Sequence, residues 1–313
     1  MMYIRLCYRN SRITITCTPF QPRFYSFSCR QSSTSQKTNC CWTGLSDNFD
    51  LTGRRYSDRI LFYSLNLQRK AVNQSFSTVQ LFYQDLQPIA PTFDFDGVLG
   101  LAWTETTDPP PPLINILRSI PHLQANYSVV WLEKPTSADS KPTASIAFGL
   151  PNDHCNSEFH ALNLVFVPTP ANSIPAVAVD AFTFADYSYT NAGTATLNLG
   201  QPVVLFPLEV VGVLLNSMNA DYDWYLGVYT IDCSNAGNLA DWVFHMGGWN
   251  YAIPSSTYIY DIGLDNGCVV AFDQLNDYSR TDFALGSVFF HEFCLKLDVD
   301  NQQFAFSTAI QMS

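Results

Sequence analysis

Residues 95–103 of this chain read Phe-Asp-Gly-Val-Leu-Gly-Leu-Ala-Trp. Gly97 and Gly100 flank apolar residues in this run, which is typical of places where two backbones cross closely within a sheet. On both sides of it, short runs rich in aromatic and β-branched residues are bounded by polar clusters, and such runs predict strands. Helical patterns are few, so the sequence predicts an all-β body in two halves. The predicted strands cover residues 60–65, 78–82, 128–132, 144–148, 163–167, 202–211, 223–231, 242–246, 268–272 and 293–298, and helices are predicted at 111–119 and 209–218.

The composition is that of a folded, acidic protein. Of its 313 residues, 47% are hydrophobic and only 14% are charged, which favours a packed core over disorder. The formal net charge of −11 repels nucleic acid and anionic membranes, so neither is expected as a partner. The longest apolar run, residues 202–215, is interrupted by Pro207 and Glu209 and is too short to span a bilayer. Residues 1–9 lack the apolar segment of a signal peptide, which leaves the localisation open.

Nine cysteines and two Asn-x-Ser sequons favour a secretory route. The sequons begin at Asn73 and Asn126, which are candidate glycosylation sites. His154-Cys155 and His160 bring imidazole and thiol close together, but no second ligand pair follows them to complete a tetrahedral site. The sequence therefore predicts neither a metal nor a cofactor.

Three stretches resemble the pepsin-like aspartic peptidases in their order and spacing. Residues 95–103 are followed by Pro-Pro-Leu-Ile-Asn at 111–115 and Val-Val-Trp-Leu at 129–132. A second stretch runs from residue 222 to Cys268, and a third, at residues 284–294, reads Ala-Leu-Gly-Ser-Val-Phe-Phe-His-Glu-Phe-Cys. The resemblance covers roughly residues 50–313. It implies a bilobed all-β fold with an incomplete N-terminal lobe: a divergent segment 1–45, an N-terminal lobe 46–150 and a C-terminal lobe 151–313.

The resemblance also implies a disulfide between Cys233 and Cys268, which would close a long loop and stabilise the second lobe. Two separate buried thiols are the alternative. A pair between Cys155 and Cys294 is a further possibility. The pairing of the others stays open: Cys7, Cys17, Cys29, Cys40 and Cys41.

The resemblance implies peptide hydrolysis by two catalytic turns, and the sequences of both turns are absent from this chain. Family members hydrolyse peptides with two Asp carboxylates that share one proton around a water, each in an Asp-Thr-Gly or Asp-Ser-Gly turn. Neither tripeptide occurs in this chain. For the second turn, the matching stretch at 202–209 places Leu205 at the Asp position, and Leu205 cannot transfer a proton. Glu209 lies four residues further on, too far along the chain to take that place. The first turn is expected in the region of residues 1–20, where the segment 9–19 contains no acidic residue.

Other functional positions also depart from the family pattern. The flap tyrosine is matched by Ser46, or by Trp42 if a gap is allowed. In the closing segment, Ser287 stands for the usual Asp and His291 for the usual Arg. Apolar positions are kept while polar ones change, which indicates loss of chemistry with retention of the core.

Two further groups of residues, an aspartate pair and an aromatic cluster, each allow a functional and a structural interpretation. Asp94 and Asp96 would share a strand face, but Asp96 belongs to the Phe-Asp-Gly turn. An aromatic cluster is interpreted either as the lining of a binding groove or as sheet packing; it comprises Tyr222, Trp224, Tyr225 and Tyr229.

The first hypothesis is a monomeric, catalytically inactive peptidase homologue with a peptide or protein ligand in an interdomain cleft. The alternative is an active aspartic endopeptidase whose sequence here is truncated or faulty. A third possibility is a chain that does not fold stably, because strands missing from the first lobe leave exposed sheet edges.

Overall fold

The computed structural model describes six backbone strands before residue 89 and then residues 101, 112–120, 123, 125–135, 143–168, 173–264, 267–275 and 279–311. The chain divides into two compact units, Met2–His122 and Leu123–Ser313. We call them the N-terminal and C-terminal units and describe each by itself.

The N-terminal unit contains a four-stranded antiparallel sheet in the order β3-β4-β5-β6 and a separate β1-β2 pair. The predicted strands 60–65 and 78–82 fall in β4 and β5, which are longer than predicted. The predicted helix 111–119 is α1. The elements are β1 Cys7–Tyr8, β2 Ile13–Thr14, β3 Gln36–Ser46, β4 Phe49–Tyr63, β5 Arg69–Gln84, β6 Gln87–Pro88 and α1 Pro112–Ser119.

The C-terminal unit is built on a ten-stranded sheet in the order β21-β14-β22-β13-β10-β9-β24-β23-β7-β8. Two four-stranded sheets, β12-β11-β17-β18 and β15-β16-β20-β19, accompany it. The elements are β7 Tyr127–Leu132, β8 Ala144–Phe148, β9 His160–Pro168, β10 Ser173–Val179, β11 Ala181–Phe184, β12 Tyr187–Tyr189, β13 Gly193–Leu197, β14 Val204–Phe206, α2 Leu208–Met218, β15 Asp221–Asp223, β16 Val228–Asp232, a 3₁₀-helix Cys233–Asn238, β17 Trp242–Met246, β18 Trp249–Ile253, α3 Ser255–Tyr258, β19 Ile259–Leu264, β20 Gly267–Val270, β21 Phe272–Gln274, β22 Phe283–Leu285, α4 Ser287–Glu292, β23 Phe293–Asp298 and β24 Gln303–Thr308.

The sequence prediction of a mostly β-stranded fold is confirmed, and β8, β17 and β23 have the predicted bounds. The predicted strand 202–211 is wrong over its second half. Pro207 ends β14, since it lacks the N–H that a strand ladder needs and its φ of −62° suits the first turn of a helix. The carbonyl oxygen of Pro207 accepts the N–H groups of Val210 and Val211, which opens α2.

Two other predicted strands are each interrupted by a turn or by a change of sheet. Residues 223–231 form the hairpin β15-β16 rather than one strand. Residues 268–272 divide at Ala271 into β20 and β21, which belong to different sheets. The N–H of Ala271 donates to Tyr258 and its carbonyl accepts from Val204, so the chain changes partners there.

The core of the C-terminal unit is aromatic. Phe206 lies at its centre, 4.9 Å from Phe182 and 5.3 Å from Trp242 between ring centroids. Tyr258 stacks on Trp242 at 3.9 Å, and all four rings are fully buried. Each such ring removes about 150–250 Å² of surface from water, so this cluster supplies much of the stabilisation of the unit.

The compact units divide at residues 122 and 123, whereas the sequence places the lobe boundary between residues 150 and 151. Strand β7 pairs with β23 in the large sheet, and β8 follows it at the edge. Compact units are not the same as lobes, so the lobe limits 1–45, 46–150 and 151–313 stay a prediction. Over the described parts of the chain, helices long and apolar enough to cross a bilayer are absent.

Candidate functional site

The residue assigned to the second catalytic position lies inside a strand. Leu205 is the middle residue of β14, with Asp273 of β21 opposite it on one side and Ala284 of β22 on the other. Phe206 is fully buried, and Pro207 leads directly into α2. No turn interrupts the backbone from 204 to 206, so this stretch does not have the loop geometry that the assignment requires.

A tight turn does follow a strand seven residues earlier in the chain. Strand β13 ends at Leu197, and the N–H of Gln201 donates to the carbonyl oxygen of Asn198 at 2.9 Å, closing a four-residue turn. The turn reads Asn198-Leu199-Gly200-Gln201. It has glycine as the third residue and a carboxamide as the first.

This turn is fixed to the closing segment of the chain. The N–H of Asn198 donates to Leu285 at 2.9 Å, and the N–H of Ser287 donates to Gln201 at 2.6 Å. Strands β13 and β22 run parallel up to this point, with Leu197 opposite Leu285. The turn therefore has a defined place beside the Leu-Gly-Ser sequence that the third resembling stretch supplies.

The sequence does not predict this turn as the site, because it holds no carboxylate and lies before the most apolar run. The available signal was the alternation Ala195, Leu197 before a short polar-apolar-glycine sequence. In the structure Ala195 is fully buried and Leu197 is half-buried.

Four cysteines form two disulfides in the C-terminal unit. Cys233 is bonded to Cys268, as the resemblance implies, and Cys155 to Cys294, the other pairing considered. Cys155 and Cys294 are buried against Val129 and Trp131. The remaining five cysteines lie in residues 1–45, whose side chains are outside the described part.

The described histidines and cysteines do not assemble a metal site. The ring of His154 stacks on Trp131 at 4.3 Å, and that of His160 stacks on Trp249 at 3.5 Å. Cys233, Asp261 and Cys268 do approach one another with ligand atoms within 4.8 Å. Because both sulfurs of that group are in a disulfide, they cannot act as thiolate ligands.

His160 and Trp249 are at the rim of a small cavity of about 80 Å³, which is room for roughly two water molecules. Tyr251 and Ser307 line it, and the buried hydroxyl groups of both lack a hydrogen-bond partner among the described residues. Burial raises the pKa of Tyr251 to about 12. The cavity is too small for an extended peptide.

His291, which stands for the usual Arg of the closing segment, is 7% exposed at the end of α4. Burial, and after it the charge of Lys134, lower its pKa to about 4. Lys134 itself donates to Thr257 at 2.6 Å and lies 3.5 Å from Glu292. Thr257 in turn donates to Glu292. These contacts join α3 and α4 to the segment after β7.

Among the described residues, three carboxyl groups have a lowered pKa. Two carboxyl groups that share a proton need the opposite, a raised pKa in one of them. Hydrogen bonds from Thr143 lower the pKa of Glu133, and those from Ser234 lower the pKa of Asp232. Burial raises the pKa of Asp298, but hydrogen bonds from Asn301 and Lys296 outweigh it and the result is a lowered value. These carboxylates serve as turn and strand-end acceptors.

The remaining sequence-predicted positions divide between described and undescribed parts. Asn126 lies just before β7 and its amide nitrogen donates to Asp300 at 2.8 Å. Asn73 pairs with Arg59 in the β4-β5 ladder, and its side chain is outside the described part, as are those of Trp42 and Ser46 in β3. Asp94, Asp96 and most of residues 9–19 also lie outside the described residues.

These sheets and turns are those of the pepsin-like fold. The crystal structure of an aspartic proteinase from Irpex lacteus superposes with a TM-score of 0.73 at 16% identity, covering 88% of this chain and 83% of that one. The profile of the eukaryotic aspartyl protease family matches residues 13–309. The chain therefore belongs to the eukaryotic aspartyl protease family.

Curated relatives match over part of their length. Aspartic protease 1 of Caenorhabditis elegans is 28% identical over 221 residues, which is 69% of this chain and 54% of that protein. Pepsin A of Canis lupus familiaris is 25% identical over 214 residues, or 67% of this chain and 53% of that protein. The chain thus spans about half the length of the curated relatives it matches.

Proposed function

We propose that this chain is a catalytically inactive member of the aspartyl protease family, and that Asn198 rather than Leu205 stands where the family has its second catalytic Asp. The observation that carries this is the turn Asn198–Gln201. It follows a strand, has glycine third and is hydrogen-bonded to the Leu-Gly-Ser segment. Leu205 has none of these features.

The chemistry explains why an asparagine there ends proteolysis. The mechanism needs one carboxylate to take a proton from water and one carboxylic acid to give a proton to the peptide carbonyl. A carboxamide has a similar shape and can hydrogen-bond. At any ordinary pH, however, it neither takes a proton from water nor gives one to a carbonyl group. Leu199, in the place of the Thr or Ser, also lacks the hydroxyl that supports the carboxylate. The segment 9–19, which is matched to the first turn, supplies no second carboxylate.

The function left to such a protein is binding. We propose a peptide or protein ligand, taken up without cleavage by a monomer, with no requirement for a metal or cofactor.

The test is a protease assay at pH 3–5 on the purified full chain, using denatured haemoglobin, with pepstatin titrated by calorimetry. We expect no turnover and no pepstatin binding. Asn198→Asp should also give no turnover, since a single carboxylate has no partner. Pepstatin-sensitive cleavage by pure wild-type protein would overturn the proposal.

An active endopeptidase is the second candidate, and the limited coverage of the relatives favours it. Those relatives include proteins named as proteases, and this chain matches about half of each. Sequencing the transcript discriminates the two: Asp-Thr-Gly codons at residues 198–200 and upstream would support the endopeptidase, and an asparagine codon at 198 would support the inactive homologue.

A further inference from the structure

The hairpin between β15 and β16 presents a group of exposed aromatic and aliphatic side chains. Trp224 is 89% exposed and Tyr225 95% exposed, and Leu226 and Tyr222 beside them are each 37% exposed. Side chains of this size are rarely left in water at a loop tip, and contiguous exposed apolar groups mark interaction sites. We call residues 222–226 the aromatic tip.

The backbone of the aromatic tip is held in one conformation. One carboxylate oxygen of Asp223 accepts the N–H groups of Tyr225 and Leu226, at 2.8 and 3.0 Å. The carbonyl of Asp223 accepts the N–H of Gly227 at 2.7 Å, and Gly227 has a φ of +69°, which glycine adopts without strain. A rigid tip loses little conformational entropy when it binds.

A series of ring contacts connects the tip to the core. Trp224 meets Tyr222 edge-on at 4.8 Å between centroids, and Tyr222 meets Tyr229 at 5.0 Å. Tyr229 then stacks on the buried Phe272 at 4.7 Å. The rings at the tip are therefore supported by ring contacts that continue to the core. The groove-lining and packing interpretations of this cluster separate here: Tyr229 packs on the core, whereas Trp224 and Tyr225 face solvent.

The charge around the tip restricts what can bind it. Residues 143–279 contain thirteen Asp or Glu and no Lys or Arg. Asp221 in the edge strand β15 and Asp232 in β16 are exposed in the same sheet as the tip. A partner that covers Trp224 and Tyr225 must also accommodate this negative field.

We propose that the aromatic tip is a docking site for a basic segment of another protein, with Lys or Arg side chains lying over Trp224 and Tyr225 and paired with the surrounding carboxylates. Cations bind the faces of Trp and Tyr, and Trp and Tyr dominate the binding energy of many interfaces. A second copy of this chain would bring two acidic surfaces together. An anionic membrane would be repelled for the same reason.

The test uses two synthetic peptides of equal length, one alternating Lys and Leu and the other alternating Glu and Leu. Binding to the full chain is measured by calorimetry at low and at physiological salt. We expect the Lys-Leu peptide alone to bind, more weakly as salt rises. Trp224→Ala should weaken binding about 30-fold or more, and Asp221→Asn by a smaller factor.

Trp249→Ala is the matched control, because Trp249 is a half-exposed tryptophan in a different four-stranded sheet. It should leave binding unchanged, and unaltered melting curves should show that all variants are folded. Equal loss in the Trp224 and Trp249 variants, or no binding of the Lys-Leu peptide, would overturn the proposal. So would Trp224-dependent binding to phosphatidylcholine vesicles or Trp224-dependent dimerisation in sedimentation, because each identifies another occupant.

Discussion

Gly286 and Val203 lie so close that a β-carbon on Gly286 would be 2.0 Å from the carbonyl oxygen of Val203. The same atom would be 2.6 Å from the carbonyl oxygen of Gln201. Both neighbours are backbone, so no side chain can move aside. Gly286 thus lets the closing segment pass close to the backbone of Gln201 and Val203, which keeps the Asn198–Gln201 turn beside that segment.

Gly286→Ala should destabilise the protein strongly, because the added methyl group forces two backbone segments apart. We expect a loss of about 3 kcal/mol in the free energy of unfolding, measured by urea titration. Gly212→Ala is the control, since a β-carbon there meets nothing within 4 Å and Gly212 lies inside α2. That change should stabilise by about 0.5–1 kcal/mol. Similar changes in the free energy of unfolding for both substitutions would contradict the close approach of Gly286 to the backbone of Val203 and Gln201.

The two disulfides should differ in what their removal costs. Cys233 and Cys268 are separated by 35 residues and Cys155 and Cys294 by 139. In the chain-entropy description the longer loop contributes more, about 5 against about 4 kcal/mol. Because Cys155 and Cys294 also pack against Trp131, Cys155→Ala with Cys294→Ala should lower the melting temperature more than Cys233→Ala with Cys268→Ala. The reverse order in a calorimetric scan would contradict the prediction, because loop length and packing both assign the larger loss to the Cys155–Cys294 disulfide.

What the sequence predicted well were the strands with strict alternation. In Trp242–Met246, buried Trp, Phe and Met side chains alternate with half-buried ones, and the predicted bounds match the strand to the residue. The helix α4 was missed because Val288, Phe289 and Phe290 are all buried, which leaves no polar face to give a helical period.

The assignment of the second catalytic position to Leu205 stays a prediction, and it rests on hydrophobicity. Val203, Val204 and Leu205 form the most apolar run of the region, and such a run favours a strand at 202–205. Strand β13, which ends in the turn at 198–201, is paired on both sides inside the large sheet through Ala195 and Thr196. Its residues alternate small and polar side chains, so hydrophobicity alone did not identify it.

Acid should destabilise this chain through His291. Its pKa is about 4 when folded against an ordinary value of 6.5, so between those pH values the unfolded chain binds more protons. Stability therefore rises with pH across that window and is lost as pH falls through it. The full effect is on the order of 3 kcal/mol, measurable by urea titration from pH 7 to pH 4.

His291→Leu should flatten this pH dependence while leaving stability at pH 7 nearly unchanged. Lys134→Met removes the second cause of the lowered pKa, so it should raise the pKa of His291 toward its ordinary value and reduce the stability that is lost through His291 as the pH falls. If His291→Leu keeps the wild-type slope, another group is responsible. Protease assays at pH 3–5 need these curves, because an unfolded chain would also show no activity.

A carboxylate should be tolerated at residue 198 and not at residue 205. Asn198→Asp keeps the shape of the side chain in a turn, so we expect a change within about 1 kcal/mol. Leu205→Asp places a charge inside β14, directly opposite Asp273, and should cost about 2 kcal/mol or more at pH 7. Because burial and the facing carboxylate both favour the protonated form, that cost should shrink as the pH falls. Urea titrations at pH 7 and pH 5 measure both changes. Equal destabilisation by the two variants would contradict the expectation that the turn at 198–201 accepts a carboxylate where β14 does not.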